Sequence, residues 1–166
     1  MRNFLNRLKY FIILAALQTL LFGHIHLFGY ATVYIYLLFI LKMPRFATRN
    51  EQMMWAFALG LTVDIFGNTP GINACAATAM EFARGYILES FTQKGVADNF
   101  VPGIHTINVA GYIMYATLCL LLFYTVLFLL ELFTIHYPLT LLASIAASTL
   151  LTLLFTLVIE CFTRKK

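Results

Sequence analysis

Residues Gly60 to Tyr86 read GLTVDIFGNTPGINACAATAMEFARGY. Two apolar arms flank a short run of turn chemistry. Gly67, Asn68 and Gly71 tolerate a positive φ. Thr69-Pro70 is a helix-start signature, a hydroxyl N-cap followed by proline at the first helical position. The stretch therefore predicts a helical hairpin with its tip at Gly67 to Gly71. Asp64 falls one turn below the tip. Gly60 lies four residues before it, on the same side of the helix. In the returning arm Gly71, Ala74, Cys75, Thr78 and Ala79 recur at three- and four-residue spacing, a small-residue face that lets two helix backbones approach closely. Ala77 is counted with Ala74 among the packing or partner-facing positions.

The surroundings of this hairpin decide its solvent. The chain has 166 residues, 61% of them hydrophobic and only 11% charged. A soluble domain averages about 25% charged, and a small fold cannot hide so much apolar surface from water. The composition predicts an all-α, polytopic integral membrane protein. A span needs roughly 20 apolar residues. Thr106 to Leu130 and Pro138 to Ile159 meet that without a charge. Tyr10 to Phe22 and Tyr30 to Leu41 are shorter and flank GHIHLFG. With the hairpin arms they predict a six-helix transmembrane bundle forming one domain over 1–166, with spans near 8–24, 29–43, 52–66, 70–88, 106–130 and 138–160.

Charge tests that count. With six spans and a cytoplasmic N-terminus, the cytoplasmic segments hold Arg2, Arg7 and Lys9; Lys42, Arg45 and Arg49; Arg84 and Lys94; and Arg164, Lys165 and Lys166. These are all 11 basic residues of the chain, the pattern of the positive-inside rule. The net charge of +4 thus reflects topology and not nucleic-acid binding. The basic, then apolar N-terminus reads as an uncleaved signal anchor. Cys75, Cys119 and Cys161 form no CxxC and read as buried, inert thiols. Glu89 to His105 reads as a cytoplasmic loop. Tyr10, Tyr30, Tyr34, Trp55 and Tyr137 fit interfacial belts.

Polar residues inside apolar spans have two readings. Glu81 is about 16 Å along its helix from Pro70 at 1.5 Å per residue, and Arg84 three residues on can pair with it. Asp64 can bond the turn amides of Gly67 and Asn68. The alternative is a polar cleft for a partner or ligand, lined by Gln18, Asp64, Asn73, Glu81 and Arg84, since intramembrane ionisable groups are functional suspects. In the last span Ala143, Ser144, Ala147 and Ser148 repeat a small-xxx-small pattern, suited to packing inside the bundle or against another chain.

The order of a basic tail, an apolar helix containing Gln18, and G-x-x-x-D-(x)5-P-G in a hairpin (Gly60, Asp64, Gly67, Pro70, Gly71, Ala74) resembles the MreD family of bacterial rod-shape-determining proteins. Length, span count and the lack of a soluble domain agree. Gly71 directly follows Pro70, where many members have an apolar residue between. The resemblance implies a non-enzymatic, multi-pass scaffold of the bacterial cytoplasmic (inner) membrane. It would bind the single-span protein MreC and help link MreB filaments to peptidoglycan synthases of the RodA and class B penicillin-binding type.

The resemblance also implies a rival reading. MreD-like proteins are similar in helix arrangement to the S-components of energy-coupling-factor importers, which bind small molecules. That reading would use Gln18, His24, His26, Asp64, Asn68, Asn73 and His136. His24 and His26 form an H-x-H pair, a weak metal signal without a third ligand, and no cofactor or metal is expected. GxSxG, HExxH and P-loop patterns are absent from the sequence, so no catalytic residue is assigned.

Overall fold

The computed structural model describes residues 2–19, 26–27, 31–45, 47–92, 100–131 and 138–163. In chain order the elements are α1 (Arg2–Leu17), β1 (His26–Leu27), β2 (Ala31–Thr32), α2 (Leu37–Leu41), α3 (Arg49–Gly67), α4 (Ile72–Phe91), α5 (Ile104–Ile107), α6 (Val109–Glu131) and α7 (Pro138–Thr163). The architecture is helical. Its extended pairing among the described residues is the two-residue antiparallel ladder of β1 with β2. Two helices are long and apolar enough to cross a membrane, Val109–Glu131 and the Leu142–Cys161 portion of α7.

The expected helix over 29–43 is not what forms there. Helix is confined to the five residues of α2, preceded by extended chain and turns. Part of the reason is local. Ala31 to Tyr36 is rich in β-branched and aromatic residues, which favour extended backbone. Pro44 disfavours helix at the residue before it. This segment lies in the core of the molecule. Tyr36, Leu37, Ile40 and Leu41 are at most 1% exposed. Gln18 bridges the non-helical part by donating from Nε2 to the Val33 carbonyl (3.1 Å) and accepting from the Ile35 amide (2.8 Å).

Contacts tie the remaining elements together. At one end, which we call the basic end, Arg7 of α1 pairs with Glu51 of α3, Lys42 with Glu160 of α7, and Arg45 with Glu89 of α4. At the other end, the hairpin end, Tyr124 of α6 donates to the Thr32 carbonyl (2.8 Å) and meets Thr152 of α7 at 2.5 Å, while the Thr32 amide donates to Ser148 (3.2 Å). These contacts tie α1 to α3, the 32–43 segment to α6 and α7, and α4 to the residues after α2.

Other boundaries shift from the sequence reading. α1 starts at Arg2 and not near residue 8, and residues 20–25 lie outside the described set. The expected 89–105 loop is partly structured. α4 continues to Phe91, and buried Phe100 accepts from the Arg45 amide (3.2 Å). α5 then precedes α6, separated by Asn108 at φ 80°. Of the three cysteines, Cys119 is buried, but Cys75 and Cys161 face outward.

Candidate functional site

The most tightly built feature is the seam between α3 and α4, below the hairpin tip. Helix α3 ends with Asn68 in the left-handed conformation (φ 52°), its amide bonding back to the Asp64 carbonyl. Gly71 follows, also left-handed at φ 79°, and is the true N-cap of α4. This corrects the expectation of Thr69 as N-cap and Pro70 at the first helical position. Thr69 instead donates its hydroxyl to Asp64 Oδ1 at 2.5 Å.

Asp64 supplies the cap that Gly71 cannot. Its Oδ1 accepts from the Asn73 amide (3.0 Å) and the Asn73 side-chain nitrogen (2.9 Å), and its Oδ2 accepts from the Ala74 amide (2.8 Å). The first amides of any helix have no partner within it, and a carboxylate there also opposes the positive end of the helix dipole. Here the capping group comes from the neighbouring helix. The carboxylate thus bonds amides of α4, not the turn amides of Gly67 and Asn68 that the sequence suggested. Gly60 makes the approach possible. A Cβ built on it would lie 2.6 Å from the Ala74 Cα and 2.7 Å from the Asn73 carbonyl oxygen. Gly67 and Pro70 are exposed at the tip.

Removing that carboxylate leaves buried donors unsatisfied, at about 1–3 kcal/mol. Asp64→Ala is expected to lower thermal stability in detergent by that amount. Asp64→Asn should lose less, because one oxygen still accepts. Glu89→Ala, at an exposed position, should stay within about 0.5 kcal/mol of the parent. An Asp64→Ala melting curve that overlays the parent would refute the capping role.

At the basic end a second set of polar groups is buried. Arg84 is 1% exposed. Its Nε bonds both Glu81 oxygens (2.8 and 2.7 Å), Nη2 donates to Gln52 of α3 (3.0 Å), and Nη1 donates to the Met43 carbonyl (3.1 Å) and approaches the Tyr115 hydroxyl of α6 (3.5 Å). Gln52 in turn donates to the carbonyls of Pro44 and Ala47, both at 3.0 Å, and Tyr115 to that of Leu41 (3.1 Å). One guanidinium thereby fixes the end of the non-helical segment to three helices.

The five residues expected to share a cleft fall into three hydrogen-bonded sets. Gln18 holds the backbone at 33–35. Asp64 and Asn73 cap α4, with Tyr36 reaching Asn73 Oδ1 at 3.4 Å. Glu81 and Arg84 form the basic-end network. Sequence reasoning missed Gln52, Tyr36, Tyr115 and Tyr124. It also missed Thr152 and Thr156, which continue Ser144 and Ser148 as a buried stripe on α7, whereas Ala143 and Ala147 face outward. The four-residue spacing of those hydroxyls was the available signal. Ala74 and Ala77 are buried against neighbouring elements. His24 and His136 lie outside the described residues, and among the described residues no group of three His, Cys, Asp or Glu could hold a metal ion.

The chain matches no family model, no curated protein and no solved structure.

Proposed function

We propose that this chain is a non-enzymatic membrane scaffold of the MreD kind. It crosses the bacterial cytoplasmic membrane six times with both termini cytoplasmic and binds a single-span partner, MreC. Through MreC it is coupled to MreB, RodA and a class B penicillin-binding protein. One observation favours this reading over the small-molecule-binding one. The ligand-type residues of the hairpin half, Gln18, Asp64 and Asn73, direct their polar atoms at their own chain. The outward surface is meanwhile apolar, with Ile65 and Phe66 on α3, Met114 and Leu118 on α6, and Leu150 and Leu154 on α7. In this reading the 32–43 segment is a crossing made of extended chain and a short helix, enclosed by the others. The distribution of all 11 basic residues along the sequence supports the orientation. A reporter fused after Lys166 should read cytoplasmic and one inserted at 132–137 extracytoplasmic; the reverse would end the six-crossing reading.

Without a hydrophobic drive in lipid, helices associate through close packing and a few hydrogen bonds. Ala143 and Ala147 are small outward residues four apart on α7, with exposed Ala146 beside them, and offer a place for a partner helix. Copurification in mild detergent, with and without coexpressed MreC, tests the scaffold. A stoichiometric complex without a small molecule is expected. Ala147→Leu should weaken that complex while the monomer stays folded. Ala77→Leu should destabilise the monomer itself, because overpacking a filled core costs about 1–3 kcal/mol. A saturable vitamin or metal ligand with no MreC binding would decide for the importer reading.

A further inference from the structure

A cleft of about 240 Å³ opens at the basic end of α3 and α4, lined by Arg45, Arg49, Gln52, Arg84, Gly85 and Tyr86, together with Glu81 and Glu89. The charges are not balanced. Glu81 is committed to Arg84 and Glu89 to Arg45. Arg49 has no carboxylate within ion-pair distance among the described residues, which leaves one positive charge in excess. Its guanidinium is nevertheless held in place. It lies 4.4 Å from the Phe82 ring centroid and 4.7 Å from that of Tyr86, and donates to the Tyr86 hydroxyl (3.1 Å) and the Phe82 carbonyl (2.9 Å). A guanidinium has five N–H donors, so three remain for an anion. Stacking on aromatic rings and planar, multidentate donation are what make arginine a phosphate binder. Phe82 and Tyr86 are more than half exposed beside the cleft and offer an apolar surface continuous with it. Gly85 lines the cleft, and the space beside it is open: a Cβ there would meet nothing within 4 Å.

We propose that this cleft binds a phosphate-bearing anion, with Arg49 as the recognising cation. Two sources share that chemistry, the headgroup of an anionic phospholipid and free phosphate. The basic end of a membrane bundle is where anionic headgroups gather, and the exposed rings suit an acyl chain. The site does not depend on MreC binding; the choice of a lipid headgroup rests on the membrane placement proposed above, and the free-phosphate arm does not.

The test uses the full-length chain, delipidated in detergent, as the parent, Arg49→Ala and Gly85→Leu. Native mass spectrometry measures retention of phosphatidylglycerol against equimolar phosphatidylcholine, with inorganic phosphate titrated separately. The parent should prefer phosphatidylglycerol, and both variants should lose that preference by roughly fivefold to tenfold, the effect of one cationic contact near a headgroup. Gly85→Leu keeps every charge and fills the cleft, so it decides the matter if Arg49→Ala does not fold. Phosphatidylglycerol binding that inorganic phosphate does not displace identifies the lipid. Saturable binding of inorganic phosphate that displaces the lipid identifies the free anion. Loss in Arg49→Ala with parent-like retention in Gly85→Leu marks a diffuse surface-charge effect and overturns the site, as does equal retention in all three proteins with no phosphate binding.

Discussion

Gly60→Val is expected to destabilise the protein by about 3 kcal/mol or more, at the top of the range for overpacking. Overpacking is usually relieved by side chains that move to other rotamers. Here the atoms in the way are backbone, the Cα and amide nitrogen of Ala74 and the carbonyl oxygen of Asn73. They cannot move without dragging the first turn of α4 off Asp64. The steric clash and the loss of the cap therefore arrive together. Gly60→Ala should already show most of the effect, since the first added carbon makes the 2.6 Å contact. Gly85→Ala is the matched control on α4. Its added carbon meets nothing within 4 Å, and removing a helix-interior glycine should stabilise by about 0.5–1 kcal/mol. Thermal melting of the three variants in one detergent checks the order. A Gly60→Ala protein as stable as Gly85→Ala would show that α3 and α4 do not meet at this seam.

That seam was largely legible in the sequence. Gly60 and Asp64 at four-residue spacing, a tip of Gly67, Asn68 and Gly71, and the small residues of the returning arm give the hairpin from local rules. What local rules could not give was the target of the Asp64 carboxylate. The nearest amides along the chain are those of the turn, but a helix N-terminus in the adjoining arm presents several unsatisfied donors, and three-dimensional proximity wins over sequence proximity. The 29–43 segment failed for a related reason. Its hydropathy is that of a span, and hydropathy measures burial and not conformation. Burial inside protein and burial in lipid look alike along a sequence, yet only the second requires helix. Whether Thr32 to Ile35 would be non-helical depended also on Gln18, Tyr124 and Ser148, partners far along the chain that satisfy the backbone groups of Thr32, Val33 and Ile35.

Glu81 and Arg84 show where a correct pair carries an incomplete meaning. The three-residue spacing predicts the pair, and the pair forms. An exposed pair of this kind contributes little, but this one is buried, and removing one member of a buried pair costs about 3–5 kcal/mol because the other charge stays behind. Arg84→Met and Glu81→Leu are each expected to lose stability in that range. Arg84→Met also frees the acceptors at Gln52 and the Met43 carbonyl, so the 41–47 segment should become more accessible to protease in this variant than in Glu81→Leu. The double variant should be more stable than the sum of the singles predicts, by about 1 kcal/mol or more, since no orphaned charge remains and two apolar side chains fill the space. Strict additivity would mean that the two side chains do not interact. Full recovery in the double variant would mean that the bonds from Arg84 to Gln52 and Met43 contribute nothing. The expected result lies between them, with the pair removed at moderate cost and the link from α4 to the non-helical core segment lost.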